Sequence, residues 1–210
     1  MKIAIFGATG WVGSHIVAEA LTRNHKVITV VRDLNKANTE NTTVREFDLT
    51  KQTNFVDVAA DADVIIASIG GRAAGNHELV AQTAQRLLKA LDKSGKRLLW
   101  VGGAGSLEVA PGITLVSTAE FPAAYKDEAL AQGEALSIFK QTNYAVNWTY
   151  ISPAALLYPG DSEGPYRIGG DQFFTNEQGE SKISVCDFAK AMLDEAENAR
   201  HSKQRISVAY

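Results

Sequence analysis

Apolar residues in this chain follow two rhythms that alternate along its length. Continuous runs rich in Ile, Val and Leu occupy residues 2–6, 26–31, 43–47, 63–68, 96–101 and 146–151. Between them apolar residues return every three or four positions; over residues 77–92 the stripe is Leu79, Val80, Thr83, Leu87, Leu88 and Leu91. Runs of the first kind suit strands buried on both faces of a parallel sheet, and stripes of the second kind suit helices with one apolar face. The spacing predicts helices over residues 12–22, 77–92 and 126–141, and the alternation predicts βαβ units. Such units leave few arrangements besides an α/β doubly wound parallel sheet, with its ligand crevice at the carboxyl ends of the strands.

The texture changes after Ile151. Pro153, Pro159, Gly160, Gly164, Pro165, Gly169, Gly170 and Gly179 make the next stretch too turn-rich for another βα unit. Here the pattern predicts loops and a small hairpin, residues 166–168 against 172–175, joined through Gly169-Gly170-Asp171. Ser184 followed by Asp187 three residues later opens a last helix running to about Asn198. A final strand over residues 205–209 closes the sheet. The expectation is one domain spanning residues 1–210, with a small C-terminal elaboration on the substrate side.

Composition narrows the partners. The chain has 210 residues, is 45% hydrophobic, and carries a net charge of -3 with no basic block. That balance argues against nucleic acid or an anionic membrane surface and for small molecules. One cysteine, Cys186, excludes an intramolecular disulfide framework and fits a reducing compartment. The apolar run before Gly7 is too short for a signal-peptide core or a membrane span, so a cytoplasmic protein is expected, as monomer or homodimer. No His or carboxylate pair has metal spacing, so no metal is expected, and Asp194, Glu195 and Glu197 with Glu180 read as a solvated helix face. Hydrolase chemistry lacks a Gly-x-Ser-x-Gly nucleophile elbow.

The richest chemistry lies at the end of the first strand, in Gly7-Ala8-Thr9-Gly10-Trp11-Val12-Gly13. This loop follows a buried strand and opens an amphipathic helix, the context of a Rossmann-type dinucleotide site. Gly7 serves the tight turn, Gly10 the close approach of backbone to a pyrophosphate, and Gly13 the packing of helix on strand. Thr9, Trp11 and Val12 then offer N–H groups to phosphate at a helix N-terminus. No Gly-Lys-Ser/Thr follows, which excludes a P-loop. After the second strand come Arg32 and Asp33. An arginine there accommodates a 2′-phosphate and favours NADP; Asp33 keeps NAD open, or else caps the short turn that follows.

The Gly-Ala-Thr-Gly-x-x-Gly loop, Val30-Val31-Arg32, Phe47-Asp48-Leu49, Val101-Gly102-Gly103-Ala104-Gly105-Ser106-Leu107, Arg167-Ile168-Gly169-Gly170-Asp171 and Ser184-Val185-Cys186-Asp187-Phe188-Ala189 together resemble the atypical short-chain dehydrogenases. Within them the chain is most similar to the NAD(P)H-binding, NmrA-like group that includes NADH-flavin reductases and biliverdin reductase B. The resemblance implies that Asp48 and Leu49 flank the adenine and that Ala67, Ser68 and Ile69 lie beside the central ribose. It also implies that Val101, Gly102, Gly103 and Ala104 run along the nicotinamide, and that Pro153 and Ala154 meet its carboxamide.

One departure from that family bears on the chemistry. Its Tyr-x-x-x-Lys pair, in which lysine lowers the tyrosine pKa for proton donation, is missing. Tyr125 is followed at that spacing by Ala129, and anchoring on Glu134 instead selects Lys126 and Leu130. The absence favours a substrate that mainly needs hydride, and the resemblance implies NAD(P)H-dependent hydride transfer to a flavin, quinone or related conjugated acceptor, which can take its proton from water or a modest donor. Ser106, Tyr125 and Lys126 are the candidate polar groups at the reacting centre, with His77 as an outsider. The alternative is a dinucleotide-binding redox sensor with little or no catalysis.

Overall fold

A computed structural model describes residues 1–210 except Asn38, Thr53, Ala73 and Ala74. In chain order the elements are β1 (Lys2–Phe6), α1 (Trp11–Thr22), β2 (Lys26–Val31), β3 (Thr42–Glu46), α2 (Phe55–Val58), β4 (Val64–Ala67), α3 (Glu78–Ala90), β5 (Arg97–Val101), β6 (Glu108–Ala110), β7 (Ile113–Thr114), α4 (Ala123–Gln141), β8 (Asn147–Pro153), β9 (Leu156–Tyr158), β10 (Arg167–Gly169), β11 (Lys182–Ser184), α5 (Val185–Asn198) and β12 (Gln204–Ala209). An eight-stranded sheet has the order β10-β12-β8-β5-β4-β1-β2-β3. Its pairings are parallel except for β10, which runs antiparallel on the outer edge of β12. This is the Rossmann-type α/β architecture.

The pleat explains why the strands read as unbroken apolar runs. Ala4, Phe6, Ile65, Leu98 and Trp100 point to one face, where they pack with Leu87 of α3 and Leu136 and Phe139 of α4. Ile3, Ile5, Ile66 and Leu99 point to the other, against Ile16 and Val17 of α1 and Phe188 and Met192 of α5. Each Ile, Leu, Val, Phe or Met side chain among them contributes about 2 kcal/mol by leaving water. The chain goes outward from β1 to β2 and β3, then returns past β1 to start β4. The carboxyl ends of β1 and β4 therefore border the switch point, where open α/β sheets leave a crevice.

Several local elements differ from the sequence expectation. Residues 172–175 do not pair with 166–168; β10 pairs instead with β12, Ile168 facing Val208. The Gly169-Gly170-Asp171 segment turns the chain toward β6, where the Glu108 N–H donates to the Asp171 carbonyl at 2.9 Å and the Phe173 N–H to the Glu108 carbonyl at 2.8 Å. Consequently the final strand is not the sheet edge. The short α2 forms because Phe55 buries its ring against Phe47, centroid to centroid 4.8 Å, a contact too remote in sequence to leave a periodic signal. Nor is Glu195 solvated with its helix neighbours: it is 4% exposed, paired with the Arg97 guanidinium, and accepts from the His201 N–H at 2.9 Å. Among the described residues no helix is long and apolar enough to cross a membrane.

The expected serine cap of α5 is present: the Asp187 N–H donates to Ser184 Oγ at 3.1 Å. The acid does not reach back to Ser184, however. Asp187 is 1% exposed and accepts from Ser162 Oγ at 2.6 Å, Tyr210 Oη at 2.6 Å and the Glu163 N–H at 2.8 Å, with Lys190 Nζ at 3.2 Å. Burial opposes its ionisation, but these hydrogen bonds outweigh burial and hold the carboxyl at about 2. A carboxyl lowered on folding stabilises above its unfolded pKa, and the contribution is lost as pH falls through the folded value. Asp187→Asn should therefore cost about 2 kcal/mol in urea unfolding at neutral pH. The gap to wild type should shrink from about pH 4 downward; wild-type stability in the variant at pH 7 would refute this.

Candidate functional site

The site begins where β1 ends. Gly7 has φ +73°, and a Cβ there would stand 2.0 Å from the Ser68 carbonyl oxygen. The two strand ends are thus pressed together at the switch point, and the Ser68 N–H donates to the Phe6 carbonyl at 3.0 Å. A Cβ on Gly13 would stand 2.1 Å from the Gly7 carbonyl, so α1 rests directly on the turn. The Gly10 N–H donates to the Gly7 carbonyl at 2.9 Å. The next N–H groups, those of Trp11, Val12 and Gly13, have no acceptor within α1. No side chain caps them and no acid stands in the first turn. Uncapped donors on the positive end of a helix dipole form an anion cradle.

From this cradle a groove of about 560 Å³ extends both ways across the strand ends. On the β2 and β3 side it is lined by Arg32, Asp33, Lys36, Phe47, Asp48, Leu49 and Thr50. Asp33 is committed to the short turn, accepting from the Asn35 N–H at 3.0 Å. Arg32 is exposed and has no side-chain partner among the described residues. Asp48 accepts from Thr50 Oγ1 at 2.7 Å and the Thr50 N–H at 2.9 Å, and these bonds, with Lys51 nearby, hold its carboxyl below the usual range.

On the β4 and β5 side the walls are Ser68, Ile69, Gly70, Arg72, Val101 and Gly102, with Glu128 and Gln132 reaching in from α4. Residues four apart share a helix face, so α4 turns Glu128 and Gln132 to the groove, while Leu130 and Lys126 are exposed and Ala129 packs near Gly105. Gln132 is fully engaged: its amide donates to the Ile69 carbonyl at 2.8 Å and accepts from Trp100 Nε1 at 3.0 Å. Glu128 Oε2 accepts the N–H groups of Gly71 and Arg72, each at 2.9 Å, and Oε1 accepts from Gln132 at 3.2 Å. His77 Nδ1 stands 3.2 Å from Glu128 Oε2. Beneath lies Tyr150, wholly buried, whose hydroxyl donates to the Gln132 carbonyl at 2.9 Å and accepts from the Gly103 N–H at 3.3 Å. Burial pushes its phenol well above the ordinary value.

Of the residues expected at a cofactor, Gly7, Thr9, Gly10, Trp11, Val12, Arg32, Asp48, Leu49, Ser68, Ile69 and Gly102 line the groove. Gly13 lies beneath it, and Ala67 is fully buried in the core. Gly103, Ala104, Pro153 and Ala154 are not in the groove wall; Ala154, 3% exposed, packs in the core on the α1 and α5 side. The catalytic candidates separate. Lys126 is exposed on α4, outside the groove wall. Tyr125 is 52% exposed, with the Arg72 guanidinium 4.5 Å over its ring. Ser106 is also outside the groove wall; its hydroxyl is buried with no hydrogen-bond partner among the described residues, and its carbonyl faces the buried Arg205 at 3.4 Å. Arg205 in turn pairs with Asp171 at 2.6 Å, which gives that Gly-Gly-Asp segment a structural task. Sequence reasoning missed Lys36, Arg72, Glu128 and Gln132. Gln132 did leave a signal, being polar on the stripe that continues through Ala135, Leu136 and Phe139.

A family model for NAD(P)H-binding proteins matches residues 7–199. YwnB of Bacillus subtilis (strain 168) is 38% identical over 212 residues, covering 99% of this chain and 98% of that protein. Among solved structures, a Burkholderia pseudomallei protein described as a candidate exported protein is 39% identical with a TM-score of 0.89, and the match covers 100% of both chains. A Streptococcus pneumoniae protein described as a candidate NADH-flavin reductase is 34% identical with a TM-score of 0.90, covering 100% of this chain and 99% of that one. The uncapped α1 cradle, the glycine contacts beneath it and the match over residues 7–199 lead to one assignment: the chain belongs to the NAD(P)H-binding family.

Proposed function

We propose that the protein is an NADPH-preferring reductase that delivers hydride to a conjugated acceptor such as a flavin or quinone, working in the reducing environment of the cytoplasm. The residues suit the cofactor at both ends: the α1 N–H groups would hold the pyrophosphate, and Arg32 with Lys36 would hold the 2′-phosphate. Asp33, occupied as a cap, is poorly placed to take the ribose hydroxyl that an NAD enzyme binds. When bound, the reduced nicotinamide supplies a hydride, and the acceptor completes its reduction with a proton from water.

The observation that carries the reading is the groove-facing side of α4. A ketone reductase of this group needs a tyrosine activated by lysine; here α4 offers Glu128 and Gln132, both engaged in holding loops. Tyr150 is no substitute, since its buried hydroxyl is bonded on both sides and its phenol is pushed up. What the site can do is hold two planar partners in alignment, which suits hydride transfer to an acceptor that needs no enzyme-supplied proton. The Streptococcus relative described as a candidate NADH-flavin reductase agrees with this chemistry.

Two variants test the cofactor assignment. Arg32→Ala should weaken NADPH about tenfold or more while changing NADH little, read by nucleotide fluorescence titration; equal losses would remove Arg32 from the 2′-phosphate. Gly10→Ala has only the Gly7 carbonyl at 3.2 Å to avoid, so the melting temperature should move little. Its methyl should still raise the dissociation constants of both nucleotides by about tenfold. The reaction itself is tested by following NADPH oxidation with FMN, a quinone and a linear tetrapyrrole. Turnover with at least one is expected; tight nucleotide binding with none would make the protein a redox sensor instead.

A further inference from the structure

The reductase reading leaves one groove cation without a task. Arg32 and Lys36 sit on the β2 side, where a 2′-phosphate belongs, and the α1 cradle takes a pyrophosphate. Arg72 lies beyond both, on the loop after β4, on the side where the nicotinamide and its acceptor must meet. Its backbone is fixed, because Glu128 accepts the N–H groups of Gly71 and Arg72 at 2.9 Å each. A Cβ on Gly71 would collide with the Asn76 carbonyl at 2.5 Å, so the loop is tightly folded there.

The side chain is electrostatically unspent. The guanidinium lies 4.5 Å over the Tyr125 ring, and that stack occupies one planar face. Glu128, which accepts the Arg72 backbone N–H, directs its oxygens to backbone N–H groups, Gln132 and His77, not to this guanidinium. No ion pair or hydrogen bond engages the Arg72 side chain among the described residues. Its edge, a planar fork of N–H donors that matches an oxyanion bidentately, is therefore open beside the groove.

We propose that Arg72, stacked on Tyr125, is the subsite for an oxyanion carried by the planar acceptor, so that the preferred acceptors are phosphorylated or acidic conjugated molecules rather than neutral ones. The inference rests on the reductase reading for its name, but its binding content can be tested apart from turnover. Riboflavin and FMN differ by one phosphate, and a naphthoquinone and its sulfonate differ by one oxyanion of another kind. Protein saturated with oxidised NADP should be titrated with each, following flavin fluorescence or calorimetry, for wild type and Arg72→Gln.

Wild type should bind FMN about tenfold or more tightly than riboflavin, with the advantage shrinking as salt rises. Arg72→Gln should erase the advantage while its affinities for riboflavin and NADPH and its melting temperature stay close to wild type. A parallel preference for the sulfonated quinone marks a general oxyanion site, and a preference confined to FMN marks a phosphate site. Equal binding of both members of each pair by wild type, or a preference that survives in Arg72→Gln, overturns the proposal. So does a variant whose main loss is NADPH affinity, since Arg72 would then clamp the cofactor. Selective FMN binding with no NADPH oxidation on any acceptor defeats the reductase reading and leaves the subsite standing. Turnover with equal KM for riboflavin and FMN does the reverse.

Discussion

The Gly7 turn is pinched between two carbonyl groups and a helix. The Ser68 carbonyl fills the space a side chain would need at Gly7, and the Gly7 carbonyl fills the space one would need at Gly13. This chain of backbone contacts sets the separation of β1 from the end of β4, seats the first turn of α1, and aims its uncapped N–H groups outward. The groove exists because the strand order reverses at this place. Its ability to hold an anion follows from helix geometry, without any charged side chain at the cradle itself.

Charge is distributed around that neutral cradle with a consistent logic. Acids in or near the groove are engaged by local donors: Asp33 by Asn35, Asp48 by Thr50, Glu128 by the 71–72 backbone. Arg32 and Arg72 are not paired in this way among the described residues, and they lie on opposite sides of the α1 cradle. Behind the β5 side of the groove, buried Trp100, Tyr150 and Gln132 form a bonded layer that fixes α4 against β5 and β8.

How much of this was legible in the sequence follows the range of the interactions. The strands β1 and β2 and the α1 helix are local in origin, so runs of β-branched residues and the glycine spacing foretold them within a residue. Elements that depend on distant partners were not foretold: α2 forms under Phe47, and β10 finds β12 rather than the segment beside it. Glu195 reads as surface because its helix neighbours are acidic, and only the fold brings Arg97 beside it. The same limit applied at the site. Arg32 was visible from its place after β2, and Asp48 and Ser68 from the family resemblance at strand ends where topology also puts a ligand, whereas Glu128 and Gln132 required the rotation of α4, which periodicity leaves open by one position.

A crystal structure with oxidised NADP bound tests the central claim most directly. The account predicts pyrophosphate oxygens within hydrogen-bond distance of the Trp11, Val12 or Gly13 N–H groups, the 2′-phosphate against Arg32 and Lys36, and the nicotinamide between Gly102 and the Arg72 loop. A nucleotide lying in the opposite direction, or one whose phosphates avoid the first turn of α1, would contradict it.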